Sequence, residues 1–141
     1  MSLGNHIRVF ICVVFMGVLV GYVYTAKSDV TDGVYIDAVK EGYVTEFSDV
    51  TVSKAFNYYF TEPYWRYYEA KTGEHVVELS GEITHSGESG HAILQFIVNE
   101  SATEFKVGAM KFNDVIQKKE DKFALVASVY EDWYAKRVAR Q

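Results

Sequence analysis

The sequence predicts an α+β domain that follows an apolar N-terminal segment. Three observations lead to this prediction: a long apolar run opens the chain, four central segments alternate apolar and polar residues, and apolar residues at helical spacing stand before and after them. Short loops join the four predicted strands, which therefore pair as an antiparallel meander. Two helices that flank such a meander pack most simply on its apolar face, giving a two-layer domain of order α-β-β-β-β-α.

The apolar run begins at Ile7 and ends at Ala26, and Arg8 is its one charged residue. Its twenty residues are about the length that a helix needs to cross a bilayer. Residues 1–26 are therefore either a signal anchor or a signal peptide. Cleavage after Ala26 would place Tyr24 where a small residue is preferred, which favours the anchor. The positive charge at the start places residues 27–141 outside the cytoplasm.

Residues 27–37 are polar around Gly33 and are predicted to be a linker, so that the exported domain comprises residues 38–141. The first helix is predicted near residues 52–60, with a cap from Asp49 or Thr51 and an end before Pro63. Its core stripe consists of Val52, Ala55, Phe56, Tyr59 and Phe60.

Alternation predicts strands over residues 64–70, 76–84, 92–99 and 104–112. The third strand is apolar on both faces and should lie inside the sheet. Gly108 in the fourth predicts a bulge. From about Lys118 the spacing is helical again, with a stripe of Phe123, Val126, Ala127, Tyr130, Trp133 and Tyr134.

Composition argues against binding to nucleic acid, against a disulfide and against a lipid anchor. Nineteen acidic residues against fourteen Lys and Arg give a net charge of −5, and no basic stripe alternates with stacking aromatic residues, which argues against binding to nucleic acid. The single cysteine, Cys12, permits no intramolecular disulfide. Its position in the middle of the apolar run does not fit a lipid-attachment site.

Aromatic residues supply the main candidate site. Tyr58, Tyr64, Arg66 and Tyr68 fall opposite the predicted core stripes of the first helix and first strand. Because Tyr and Arg are enriched where proteins bind partners, these four residues are predicted to form a protein-binding surface.

Histidines at the second hairpin give an alternative. His85 and His91 bracket a Gly- and Ser-rich loop, with Glu82 and Glu88 nearby. Two imidazoles and a carboxylate are ligands that zinc or copper accepts, so the alternative is a small metal-binding or hydrolytic domain. The leading interpretation assigns no catalytic residue, metal or cofactor.

Residues 39–81 carry a pattern of aromatic residues, glycines and one proline that includes Gly42-Tyr43, Pro63, Trp65, Gly73 and Gly81. This pattern resembles a module of small bacterial secreted or membrane-anchored proteins and lipoproteins, and the likeness extends more weakly to Asp114. The family has no assigned activity, so the resemblance implies a bacterial, extracytoplasmic domain and no catalytic residues.

Together these observations predict a membrane-anchored, periplasm-facing, non-enzymatic module of the bacterial envelope. Residues 7–26 would hold it in the cytoplasmic membrane as a single pass. The module would bind another envelope protein in assembly, immunity or exclusion. The alternative is that the N-terminal segment is cleaved as a signal peptide and the domain is secreted.

Overall fold

The computed structural model describes residues 29–139, which form an α+β domain of helices, an antiparallel sheet and a C-terminal helix. In chain order the elements are α1 (Asp29–Lys40), a short 3-10 helix (Thr45–Phe47), α2 (Val52–Tyr59), β1 (Thr61–Glu69), β2 (His75–His85), β3 (Glu88–Val98), β4 (Phe105–Phe112), β5 (Val115–Ile116) and α3 (Lys119–Ala139). The predicted membrane segment at residues 7–26 lies outside the described residues. None of the helices within 29–139 is long and apolar enough to span a bilayer.

The sheet has five strands in the order β1-β2-β3-β4-β5, and every neighbouring pair is antiparallel. The predicted meander is therefore confirmed, with β3 at its centre. Two of its turns contain only two residues, Ser86-Gly87 and Asn113-Asp114, and all four have positive φ. Turns of this kind match the right-handed twist of the strands that they join.

Two irregularities shape the sheet. Gly108 and Ala109 together oppose Gln95, because Leu94 pairs with Met110 and Phe96 with Val107, so the bulge predicted at Gly108 is present. At the start of β1 the register also shifts, between Thr61 and Tyr64. There Gly81 of β2 lies beneath the Thr61 carbonyl, and a Cβ atom at Gly81 would come within 3.0 Å of that oxygen.

The core forms between one face of the sheet and the helices. From α2, Val52, Ala55 and Phe56 are buried as predicted, and Phe60 follows them into the core. Thr51 caps α2 by accepting a hydrogen bond from the Lys54 N–H at 3.4 Å, which decides between the two predicted caps. Helix α3 contributes four buried residues, Leu125, Val126, Val129 and Tyr130. The sheet contributes alternate residues, including Val77, Leu79, Leu94 and Phe96.

The structure corrects the prediction at three places. The segment at 27–37 was predicted as a linker, but its described residues, from Asp29 onward, are helical and belong to α1. The meander has a fifth strand, β5, whose two residues are too few for alternation to reveal. Phe123, placed on the core stripe of the last helix, is 48% exposed.

Helix α1 is held to the sheet by a buried cluster of rings around His75. The rings of Tyr35 and His75 stack with their centroids 4.2 Å apart, and the Tyr35 and Tyr67 rings stack at 5.0 Å. The Tyr67 hydroxyl lies 2.7 Å from His75 Nδ1, and the Tyr35 hydroxyl lies 3.2 Å from Nε2. Tyr35 also donates to the Glu100 carbonyl at 2.9 Å. Burial raises the pKa of Tyr35, and so does the nearby Glu100 carboxylate. This cluster therefore joins α1 to β1, β2 and the loop after β3.

Candidate functional site

The four residues predicted to bind a partner lie in different surroundings. Tyr64 is 62% exposed at the start of β1. Tyr58 is on α2, where its ring packs edge-on against Trp133 at 5.7 Å. Arg66 and Tyr68 share a sheet face with Tyr64, but Arg66 is half-buried and Tyr68 is only 4% exposed. The sequence therefore identified their faces correctly, while the structure separates Tyr58 from the other three and leaves Tyr68 little free surface.

Arg66 and Tyr68 belong to a polar network on the sheet face opposite the core. Arg66 Nε donates to Glu78 Oε1 at 2.8 Å, and its guanidinium lies 5.2 Å from the centre of the Tyr68 ring. Gln95 Nε2 donates to the Tyr68 hydroxyl at 3.1 Å. Burial raises the pKa of Glu78, although the Arg66 guanidinium opposes this shift. These contacts join the edge strand β1 to β2 and β3 across the sheet.

The raised pKa of Glu78 predicts how stability changes with pH. The Glu78 carboxyl of the unfolded chain titrates near its ordinary value of 4.5, whereas the folded chain retains the proton to higher pH. Below pH 4.5 the Glu78 carboxyl is protonated in both the folded and the unfolded chain, and its contribution to stability is complete. This contribution is lost as the pH rises through the pKa that Glu78 has in the folded chain. We expect Glu78→Gln to gain free energy of unfolding relative to the native chain between pH 4 and pH 8.

Urea unfolding of the full chain in detergent micelles, followed by tryptophan fluorescence, measures this difference at each pH. Glu104→Gln is the control because it also removes a carboxylate, but from an exposed position. A Glu78→Gln difference that stays constant over this range, or one that Glu104→Gln reproduces, would contradict the assignment.

The alternative site at the second hairpin does not assemble. Register pairs Glu82 with His91 and His85 with Glu88, and alternation along β2 places these two pairs on opposite faces of the hairpin. His91 Nδ1 lies 3.0 Å from Glu82 Oε2, while the His85 ring packs edge-on against Phe112. Within residues 29–139 no group of three His, Cys, Asp or Glu side chains could hold a metal ion.

A groove at the β4 edge of the sheet is the candidate that sequence reasoning missed. We call it the edge groove, and it has a volume of about 610 Å³. Its walls come from the 43–46 loop, from β4 between residues 105 and 109, and from the segment 116–123, with Ile97 contributing from β3. This volume lies within the roughly 300–1,000 Å³ that is typical of ligand-binding clefts.

Exposed apolar side chains border the edge groove. Tyr43, Ile116 and Phe123 line it and are each about half exposed, at 50%, 51% and 48%. Val115, beside Ile116, is also exposed. Large apolar side chains that cluster beside a groove mark a binding surface more often than single exposed ones do. The exposure of Phe123 therefore has a structural reason, because its ring forms a wall of the groove.

Positive charge predominates among the side chains that line the edge groove. Lys106, Lys119 and Lys122 line it together with one acid, Glu46. The ammonium groups of Lys119 and Lys122 lie 6.0 and 5.3 Å from the centre of the Phe123 ring. In a chain whose net charge is −5, this is a local reversal of sign.

No protein-family model, curated protein sequence or solved structure matches the chain. The apolar walls and the lysine rim of the edge groove suit an apolar ligand that carries negative charge. Sequence reasoning missed it because its walls come from three separate parts of the chain. The one sign of it in the sequence was that Phe123 follows Lys119 and Lys122 at the start of the last helix.

Proposed function

We propose that the chain is a membrane-anchored, non-enzymatic protein-binding module of the bacterial envelope, with its domain facing the periplasm. The observation that carries this proposal is the edge groove, where Tyr43, Ile116 and Phe123 expose apolar surface beside a cleft. Exposed clusters of this kind are costly in water unless a partner covers them. The partner is another envelope protein, in a process such as assembly, immunity or exclusion.

The proposed location of the protein in the cell rests on the sequence. Residues 7–26 have the length and hydrophobicity of a membrane span, and Arg8 near their start favours a cytoplasmic N-terminus. The resemblance of residues 39–81 to secreted and membrane-anchored bacterial proteins supports the same location. Cleavage of the segment would instead release the domain, and the binding surface would then act outside the cell.

Tyr64 is a second position at which a partner could be contacted. Of the four residues predicted from the sequence it is the most exposed, whereas Arg66 and Tyr68 are engaged in the network with Glu78 and Gln95. Tyr64 lies on β1, three strands away from the β4 residues that line the edge groove. The two surfaces can therefore be distinguished by experiment.

Site-specific photo-cross-linking in intact bacterial cells tests the proposal. A photoreactive benzoylphenylalanine replaces Phe123 in the edge groove, Tyr64 on β1, or Lys71 in the β1–β2 turn as an exposed control. We expect a discrete adduct with an envelope protein from position 123 and none from position 71. If no position gives an adduct in cells that contain the chain in their membranes, a protein-binding function is contradicted. An adduct from position 64 alone would move the binding surface to β1.

A further inference from the structure

Another strand covers the outer edge of β4 only at its end. Within residues 29–139, β5 pairs with Lys111 and Phe112, and the sheet contains no strand beyond β4 at residues 105–109. The Gly108 carbonyl on this side accepts a hydrogen bond from Lys122 Nζ at 2.7 Å, so an added strand would have to displace that ammonium group from it. An edge of this kind presents backbone donors and acceptors to which another extended chain can pair.

The edge groove runs along this same stretch of β4. All five residues from Phe105 to Ala109 line it, so backbone and groove wall coincide. The groove includes side chains from both sheet faces, since Phe105 and Val107 lie on the core side while Lys106 and Ile97 lie on the other. Along residues 105–107, which precede the bulge, an added strand would place successive side chains on these two faces in turn.

The charges distinguish between two possible occupants. In an edge-to-edge dimer, the lysine rim of one copy would face the lysine rim of the other, and like charges opposite one another across strands are destabilising. An acidic segment would instead meet Lys106, Lys119 and Lys122 with opposite charge. Charge complementarity therefore favours an acidic extended segment over a second copy of this chain.

We propose that the edge groove binds an extended, acidic segment of a partner protein, which adds to β4 as a further strand. This inference rests on the proposed protein-binding function and names the class of partner. Apolar side chains of the segment cover Phe105 and Val107, and acidic side chains between them pair with the lysines. Backbone hydrogen bonds to the β4 edge supply affinity, and the alternation supplies specificity.

The test is a selection of random twelve-residue peptides, displayed on phage, against the full chain in detergent micelles. We expect the enriched peptides to alternate apolar residues with Asp or Glu. The same synthetic peptides should bind the double variant Lys106→Glu, Lys119→Glu about tenfold more weakly, a difference of about 1.4 kcal/mol. Both lysines are exposed, so the double variant should fold, and circular dichroism checks this. Lys71→Glu is the matched control and should change affinity less than about twofold.

Two kinds of result would overturn this inference. One is an absence of enrichment, or enrichment of peptides that lack acids or have apolar residues at helical spacing. The other is binding that the two lysine substitutions leave unchanged. Sedimentation of the chain as a dimer whose two copies pair through β4 would also overturn it. If such a result accompanied a cross-link from position 123 in cells, the protein-binding function would survive and only the strand-addition mode would fail. Loss of cross-links at every position would remove the function itself.

Discussion

Phe56→Ala should lower the free energy of unfolding by about 3–5 kcal/mol. Phe56 is fully buried on α2, and its ring contacts the rings of Phe60, Phe96 and Tyr130 at centroid distances of 6.3, 5.8 and 5.7 Å. These contacts join α2 to the sheet and to α3. The substitution removes the ring from the point where all three elements meet and leaves a cavity that the surrounding side chains cannot fill.

Urea unfolding of the full chain, followed by tryptophan fluorescence, measures this loss. Tyr64→Ala is the control because it also removes an aromatic ring, but from an exposed position. We expect Tyr64→Ala to change the free energy of unfolding by less than about 0.5 kcal/mol. Equal losses for the two variants would contradict the described core.

His75→Ala should lower the free energy of unfolding by about 2–3 kcal/mol and should loosen α1 in particular. The imidazole is only 8% exposed, and it contacts the hydroxyl groups of Tyr35 and Tyr67. Its removal takes a partner from each hydroxyl and ends the ring stacking that holds α1 to the sheet. Hydrogen exchange should therefore accelerate across Asp29–Lys40 more than across α3.

His91→Ala is the matched control for this prediction. His91 pairs with Glu82 at the surface, where both side chains are half exposed or more, so its loss should cost less than about 1 kcal/mol. If the rate of hydrogen exchange in α1 were unchanged in His75→Ala, the ring cluster around His75 would not be what holds α1 to the sheet.

Patterns in the sequence predicted those elements of the fold that depend on residues close together in the chain. The spacing of Val52, Ala55 and Phe56 identified α2, and Gly108 identified the bulge of β4. Alternation identified four strands and the central place of β3. Each of these features depends on residues that are near one another in the sequence, so the periodicity of apolar residues is sufficient to reveal them.

Features that depend on distant contacts were missed. Helix α1 contains Gly33, Val34 and Ile36, which are weak helix formers, and it is stabilised by the contact of Tyr35 with His75, forty residues away. The edge groove likewise requires the 43–46 loop, β4 and α3 to meet. Tyr68 was placed on the correct face, but its burial and its contacts with Arg66 and Gln95 could not be predicted from alternation, because Gln95 is on β3, distant in the sequence.

The central claim is that a partner binds along the edge of β4. Hydrogen exchange of the full chain, measured alone and in the complex captured from cells, tests this most directly. We predict slower exchange in the complex for residues 105–109 and 116–123, with the turn at Ser86-Gly87 unchanged as an internal control. Slower exchange confined to β1 or to the β2–β3 turn, with no change along β4, would contradict the account.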